Sequence, residues 1–132
     1  MKHFYLLKEF ARAARRSGVT DDALREAVGR AEAGKIDADL GGGLIKQRVA
    51  RPDEGRSGGF RTIIAYRRGK RAIFMHLFAK ARQSNIGPAE LETYQKLAKA
   101  YQALDDTQLD KLVSRRGWRK IEQDDDQEAH IS

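Results

Sequence analysis

Lys46, Arg48, Arg51 and Arg61 are the residues of this sequence most able to do chemistry together. Lys46 and Arg48 stand two apart in the apolar/basic run Leu44-Ile45-Lys46-Gln47-Arg48-Val49-Ala50-Arg51, which Arg51 ends, and Arg61 is the second residue of Phe60-Arg61-Thr62-Ile63-Ile64-Ala65-Tyr66. Successive side chains of a strand point to opposite faces, so Lys46 and Arg48 share one face. Two neighbouring strands that both carry cations repel each other unless an anion lies between them, so the stretch reads as an anion site. His76, on a third apolar run, is a further candidate near that site, as a general acid or base or as a contact to the anion; a packed strand histidine is the competing reading. Asp37 and Asp39 precede a glycine turn, where carboxylates brace a loop more often than they bind a metal. No cysteine is present, and His3 and His130 have no ligand spacing. No metal site and no cofactor is implied.

The elements that must position these residues follow from periodicity. Phe4, Leu7, Ala11 and Ala14 recur at helical spacing and predict a helix over residues 2–17, stopped at Ser17-Gly18. Thr20, followed by Asp21 and Asp22, predicts the start of a second helix with the stripe Leu24, Ala27, Val28 and Ala31. These two form a helical hairpin over one face of a sheet. Gly41-Gly42-Gly43 leads into strands at 44–51, 58–67 and 71–79, with turn signals at Pro52-Asp53-Glu54-Gly55 and Arg68-Gly69-Lys70. Gly87-Pro88 starts a helix with the stripe Leu91, Tyr94, Leu97, Ala98, Tyr101 and Leu104. Asp105-Asp106 opens a short fourth helix that ends near Gly117, and residues 118–121 form a small strand or a loop.

Composition sets the class. The 132 residues make one domain with a real core, and no apolar run is long enough to span a membrane, so a cytoplasmic protein is expected. The net charge is +7. Residues 124–132 hold four acids and no Lys or Arg, which leaves 26 cations against 15 acids, +11, on residues 1–123. Such a body points to a polyanion, nucleic acid first. The expected division is a folded domain over 1–123, in which 105–123 supply the last helix and strand, and an acidic, disordered tail over 124–132.

With that order of elements, Asp-Ala-Asp-Leu-Gly-Gly-Gly, Lys-Gln-Arg, Ala-Arg-Pro, Ser-Gly-Gly-Phe-Arg-Thr and Phe-Ala-Lys resemble the RelE/ParE superfamily of toxins from type II toxin–antitoxin pairs. The likeness is to its RelE/HigB-type branch. It implies an α+β fold, a small twisted antiparallel sheet of three to four strands with an N-terminal helical hairpin and C-terminal helices. It implies a metal-independent mRNA endonuclease, an mRNA interferase, that cuts ribosome-bound message through attack of a 2′-hydroxyl on the scissile phosphate and so inhibits translation. By the same resemblance Lys46, Arg48, Arg61 and Lys80 are the catalytic candidates and Arg51 and Arg82 the RNA-binding ones, to which His76 is added from its own place on the third run. Cleavage of this kind needs a base, cations for the phosphorane charge and an acid for the leaving 5′-oxygen. Lys46 is the candidate base, because neighbouring positive charge disfavours its protonated form. The arginines suit the phosphate clamp. Some members carry a tyrosine after the third strand; residues 80–86 hold none, and the helical spacing of Tyr94 and Tyr101 fits core packing. The implied partners are a cognate antitoxin of helix-turn-helix type, the ribosome with its mRNA, and operator DNA through the antitoxin complex. The alternative within the superfamily is a ParE-like, non-enzymatic inhibitor of DNA gyrase. Outside it stands a basic nucleic-acid-binding protein without toxicity.

Overall fold

The computed structural model describes residues 3–51, 55–79 and 86–121, with the side chains of 51 and 55–58 left out. The expected tail at 124–132 lies outside them. Six strands and four helices follow in the order β1 (His3–Leu6), α1 (Lys8–Ser17), α2 (Asp21–Glu32), β2 (Ala38–Gly41), β3 (Leu44–Arg51), β4 (Gly55–Arg67), β5 (Arg71–Ala79), α3 (Pro88–Gln102), α4 (Asp106–Arg116) and β6 (Arg119–Ile121). They form one sheet in the order β2-β3-β4-β5-β1-β6.

This differs from the expected three to four antiparallel strands. The sheet is mixed, because β1 runs parallel to β5 and antiparallel to β6. The helix expected from residue 2 begins only at Lys8. Phe4, Tyr5 and Leu6 are all buried, Phe4 and Leu6 against one layer of helices and Tyr5 against the other. A run apolar on both faces suits a strand between two layers, and its four residues match helical spacing equally well. The expected hairpin of α1 and α2 therefore enters from a central strand. The triple-glycine approach also holds the edge strand β2, paired to β3.

Helix ends are set by local chemistry. Gly18 adopts the left-handed conformation (φ 73°) and donates its N–H to the last turn of α1. The Thr20 hydroxyl accepts the Ala23 N–H at 3.1 Å, and Asp105 accepts the Gln108 N–H at 2.8 Å at the start of α4. Helix α3 has proline in its first turn, and the Glu90 carboxylate accepts the Gly87 N–H at 3.3 Å.

Helices α1 and α2 cover one face, burying Phe10, Ala14, Leu24, Ala27 and Val28 against Phe4, Leu6, Ile45, Val49, Ile64 and Phe74. Helices α3 and α4 cover part of the other, where Ala98, Leu109 and Trp118 close over Tyr5, Leu44, Ile63, Ala65 and Ile73. Helix α4 is tied down by Arg71 to Asp106 at 2.8 Å and by the Tyr5 hydroxyl to Asp110 at 3.0 Å.

Candidate functional site

The face that carries α3 also carries the cations. In the register of β3, β4 and β5, Lys46 lies opposite Ile63 and Ile63 opposite His76; one step on, Arg48 lies opposite Arg61 and Arg61 opposite Phe78. Directly paired residues share a sheet face, with Cβ atoms about 4.5–5.5 Å apart. Two rows result, Lys46-Ile63-His76 and Arg48-Arg61-Phe78. They continue the apolar row Leu44-Ala65-Ile73, which is closed over by the helical layer. Arg48 is exposed, while Lys46, Arg61 and His76 are half-buried.

A bulge in β5 puts His76 there. The pairing shifts between Ile63–His76 and Ile64–Phe74, so Met75 is the extra residue. Equal parity along β5 would place Phe74 and His76 on one face. The bulge separates them: Phe74 packs under α1 and α2, and His76 turns toward α3. There its ring stacks between Phe78 (centroids 5.4 Å apart) and Tyr94 of α3 (5.5 Å). Its Nε2 is buried and has no hydrogen-bond partner among the described residues. Burial, and then the Glu90 carboxylate, push the Tyr94 phenol above its ordinary pKa, so it stays a neutral donor at physiological pH. Tyr94 fits the apolar layer, as its helical spacing predicts, and also borders the cation rows.

Counter-charge for the arginines comes from within the chain. Asp37 accepts the Arg48 backbone N–H at 2.7 Å and meets the Arg48 guanidinium at 3.2 Å and that of Arg30 at 3.3 Å. Burial raises the Asp37 carboxyl, but the hydrogen bonds and charge of Arg48, with the charge of Arg30, outweigh it and hold the group below the usual carboxylate range. Arg30 also donates to the Arg48 carbonyl. Asp37 is thus the loop brace its position before the glycines suggests, with the added task of fixing Arg48. Asp39 is a brace as well, accepting the Gly41 N–H at 2.9 Å.

Gln47, between the two cations, points to the opposite face and is fully buried. Its amide donates to the Ala27 carbonyl at 2.9 Å and accepts the Asp37 N–H at 2.7 Å. A buried amide so satisfied locks the segment before β2 onto α2 and β3, and carries Asp37 to Arg48. Sequence reasoning passed over Gln47. The available signal was an amide at a strand position whose parity neighbours, Ile45 and Val49, are apolar.

Lys46, Arg48, Arg61 and His76 are therefore brought together. Arg51 has a described backbone at the end of β3 but no described side chain, and Lys80 and Arg82 lie outside the described residues. Among the described residues no three His, Asp or Glu side chains group as a metal-ligand set, and no helix is long and apolar enough to cross a membrane.

Fold and site together define a small basic α+β domain with a two-row cationic sheet face partly roofed by a helix. The sequence matches, over residues 1–121, the family model described as the RelE toxin of the RelE/RelB toxin–antitoxin system, and the chain belongs to that family of toxins. No curated protein matches it.

Proposed function

We propose that this toxin is a ribosome-dependent mRNA endonuclease, held inactive by a cognate antitoxin, and that the two cation rows are its active site. Members of its family are in general endoribonucleases. The observation that carries the reading is the direct pairing of Arg48 with Arg61 beside the Lys46-Ile63-His76 row. A scissile phosphate over Ile63 and Arg61 is flanked by Lys46 on one side and His76 on the other, whose Cα atoms stand two strand spacings, about 10 Å, apart. Lys46 takes the proton of the 2′-hydroxyl. Arg48, steadied by Asp37, and Arg61 hold the non-bridging oxygens as charge develops on them. His76 and, beyond the end of β5, Lys80 are the candidate donors for the leaving 5′-oxygen. Arg51 and Arg82 extend the contact to flanking phosphates.

Single-turnover cleavage on programmed ribosomes, with a parallel ribosome-binding assay, tests the assignment. Lys46→Ala and Arg61→Ala should each lower the rate on the order of a hundredfold with much smaller loss of affinity. His76→Ala and Lys80→Ala then show which residue supplies the proton. Near wild-type cleavage by both Lys46→Ala and Arg61→Ala would remove the active site from this face. Intact mRNA together with a DNA-damage response on expression would instead indicate a gyrase-directed toxin.

A further inference from the structure

Positive charge gathers a second time, away from the cation rows. Lys8, Arg12, Arg15 and Arg16 are exposed along α1, and Arg115 and Arg116 are exposed in the last turn of α4. The two helices meet where α1 starts and α4 ends: a Cβ on Gly117, the residue after Arg116, would lie 3.1 Å from Lys8 Cδ. On α1, positions 8, 12 and 15 fall within about 60° of one another, and Lys8 to Arg16 spans about 12 Å. A basic strip therefore runs from the end of α4 past Lys8 and along α1. Other cations at this edge have partners within the chain. Arg119 meets Asp21 at 3.0 Å, Lys120 meets Asp110 at 3.1 Å, and Arg12 itself meets Glu9 at 3.8 Å. The side chains of Lys8, Arg15, Arg16, Arg115 and Arg116 have no hydrogen bond or ion pair with any described residue. Helix stability accounts for part of this, because last-turn arginines suit the negative end of a helix. It does not account for Lys8, which sits at the positive end of α1, nor for the like-charged neighbours Lys8–Arg12 and Arg12–Arg16 one turn apart. Charge that the fold leaves unbalanced suits an external polyanion.

We propose that this strip docks on a double-stranded segment of ribosomal RNA while the cation rows hold the message. The proposal rests on the reading that the toxin acts on the ribosome, and it adds the surface that holds the toxin there. No exposed residue of α1 or α4 is aromatic, so the strip lacks the platforms on which unpaired bases stack. Basic side chains alone suit the phosphates of an A-form duplex, which is recognised by shape and backbone. A membrane surface fits less well. The apolar side of α1 is already spent in the core, and the one exposed large hydrophobic among the described residues, Ile36, lies before β2. Position also fits. Helix α1 covers the sheet face opposite the cation rows, and β6, at the α4 end of the strip, stands three strand positions, about 14 Å, from β4. Message and duplex thus engage different sides of the molecule.

The test compares the full chain with the triple variant Lys8→Gln/Arg15→Gln/Arg116→Gln, exposed substitutions to a good helix former. On programmed ribosomes the half-saturating ribosome concentration should rise on the order of tenfold, with the saturating cleavage rate held within about twofold. Binding to vacant ribosomes and to an RNA hairpin should weaken alike, and each log–log salt slope should fall by about one unit per cation removed. The charge-keeping variant Lys8→Arg/Arg15→Lys/Arg116→Lys should restore both readouts. Should the triple variant not fold, Arg15→Gln/Arg16→Gln alone must still raise the half-saturating concentration several-fold. An unchanged half-saturating concentration overturns the proposal, and so does a lower saturating rate at unchanged affinity, which would put the strip in the chemistry. Loss of antitoxin binding with ribosome binding intact would make the strip a protein-docking surface, and tighter binding to phosphatidylglycerol vesicles than to the hairpin would make it a lipid one; either result overturns it. The nuclease assignment is read from the cleavage rate of Arg61→Ala and the docking strip from the affinity of the triple variant, so the two can fail independently.

Discussion

At the scale of single residues, the site depends on a carboxylate as much as on its cations. Lys46, Arg48 and Arg61 could be picked out of the sequence because charges at every second position of an apolar run share a face. How like charges tolerate one another there could not be read, since Asp37 reaches Arg48 only through the fold of the segment that Gln47 holds in place. The prediction follows from the lowered Asp37 pKa. A carboxyl whose folded pKa is depressed contributes stability that is present above its unfolded pKa and is lost as pH falls through the folded one. Asp37→Asn keeps the size and removes the charge, so it should cost about 1 kcal/mol at pH 7, with the gap from wild type closing in acid. Urea melts of both proteins at neutral and acid pH measure it. A gap that is constant with pH would mean that the charge of Asp37 does not contribute to stability. Cleavage by the variant should also fall several-fold, because Arg48 loses the group that steadies it.

At the scale of elements, the long strands were legible and the short ones were not. Strands β3 and β5 fall on the residues where alternation and turn signals place them, and α3 begins at Pro88 as its Gly-Pro pair suggests. Strand β1 escaped because four apolar residues carry no period of their own; only the pairing of Phe4 with Ala72 and Ile121 makes them a strand. The Met75 bulge escaped because nothing local marks it, and with it went the separation of Phe74 from His76 onto opposite faces. The glycines before β3 do have a local reason. Gly42 sits at φ +63°, and a Cβ there would lie 3.2 Å from Gln95 Cγ on α3. Gln95 in turn donates to the Leu40 carbonyl at 3.0 Å, so the turn between β2 and β3 is where the roof helix rests on the sheet. Gly42→Ala should therefore cost about 1–2 kcal/mol from the left-handed backbone and the displaced contact. By moving α3 it should also change the environment of Tyr94. Thermal melts measure the first effect, and the ring resonances of Tyr94 and His76 the second. A full loss of stability with unmoved rings would separate the turn from the site.

At the scale of the whole molecule, charge is the property that acts before any contact forms. The chain carries +7 overall, and the paired Arg48 and Arg61 lie on the open part of one sheet face. Many surface cations are already committed, as Arg12 is to Glu9 at 3.8 Å and Lys96 to Glu92 at 3.7 Å. Arg61, by contrast, donates only to its neighbour's carbonyl among the described residues, at 3.5 Å. If the cation rows neutralise RNA phosphates, each one releases condensed counterions. The logarithm of the binding constant should then fall with the logarithm of salt concentration by roughly 0.7 per contact for single strands. Arg61→Ala should reduce that slope by about one contact, whereas Arg12→Ala, on the far side of the sheet in α1, should lower affinity slightly and leave the slope unchanged. Titration of an uncleavable single-stranded RNA across salt concentrations distinguishes the two. Equal slopes for wild type and Arg61→Ala would place the RNA off this face, and a reduced slope for Arg12→Ala would show that general positive charge, and not the two rows, holds it.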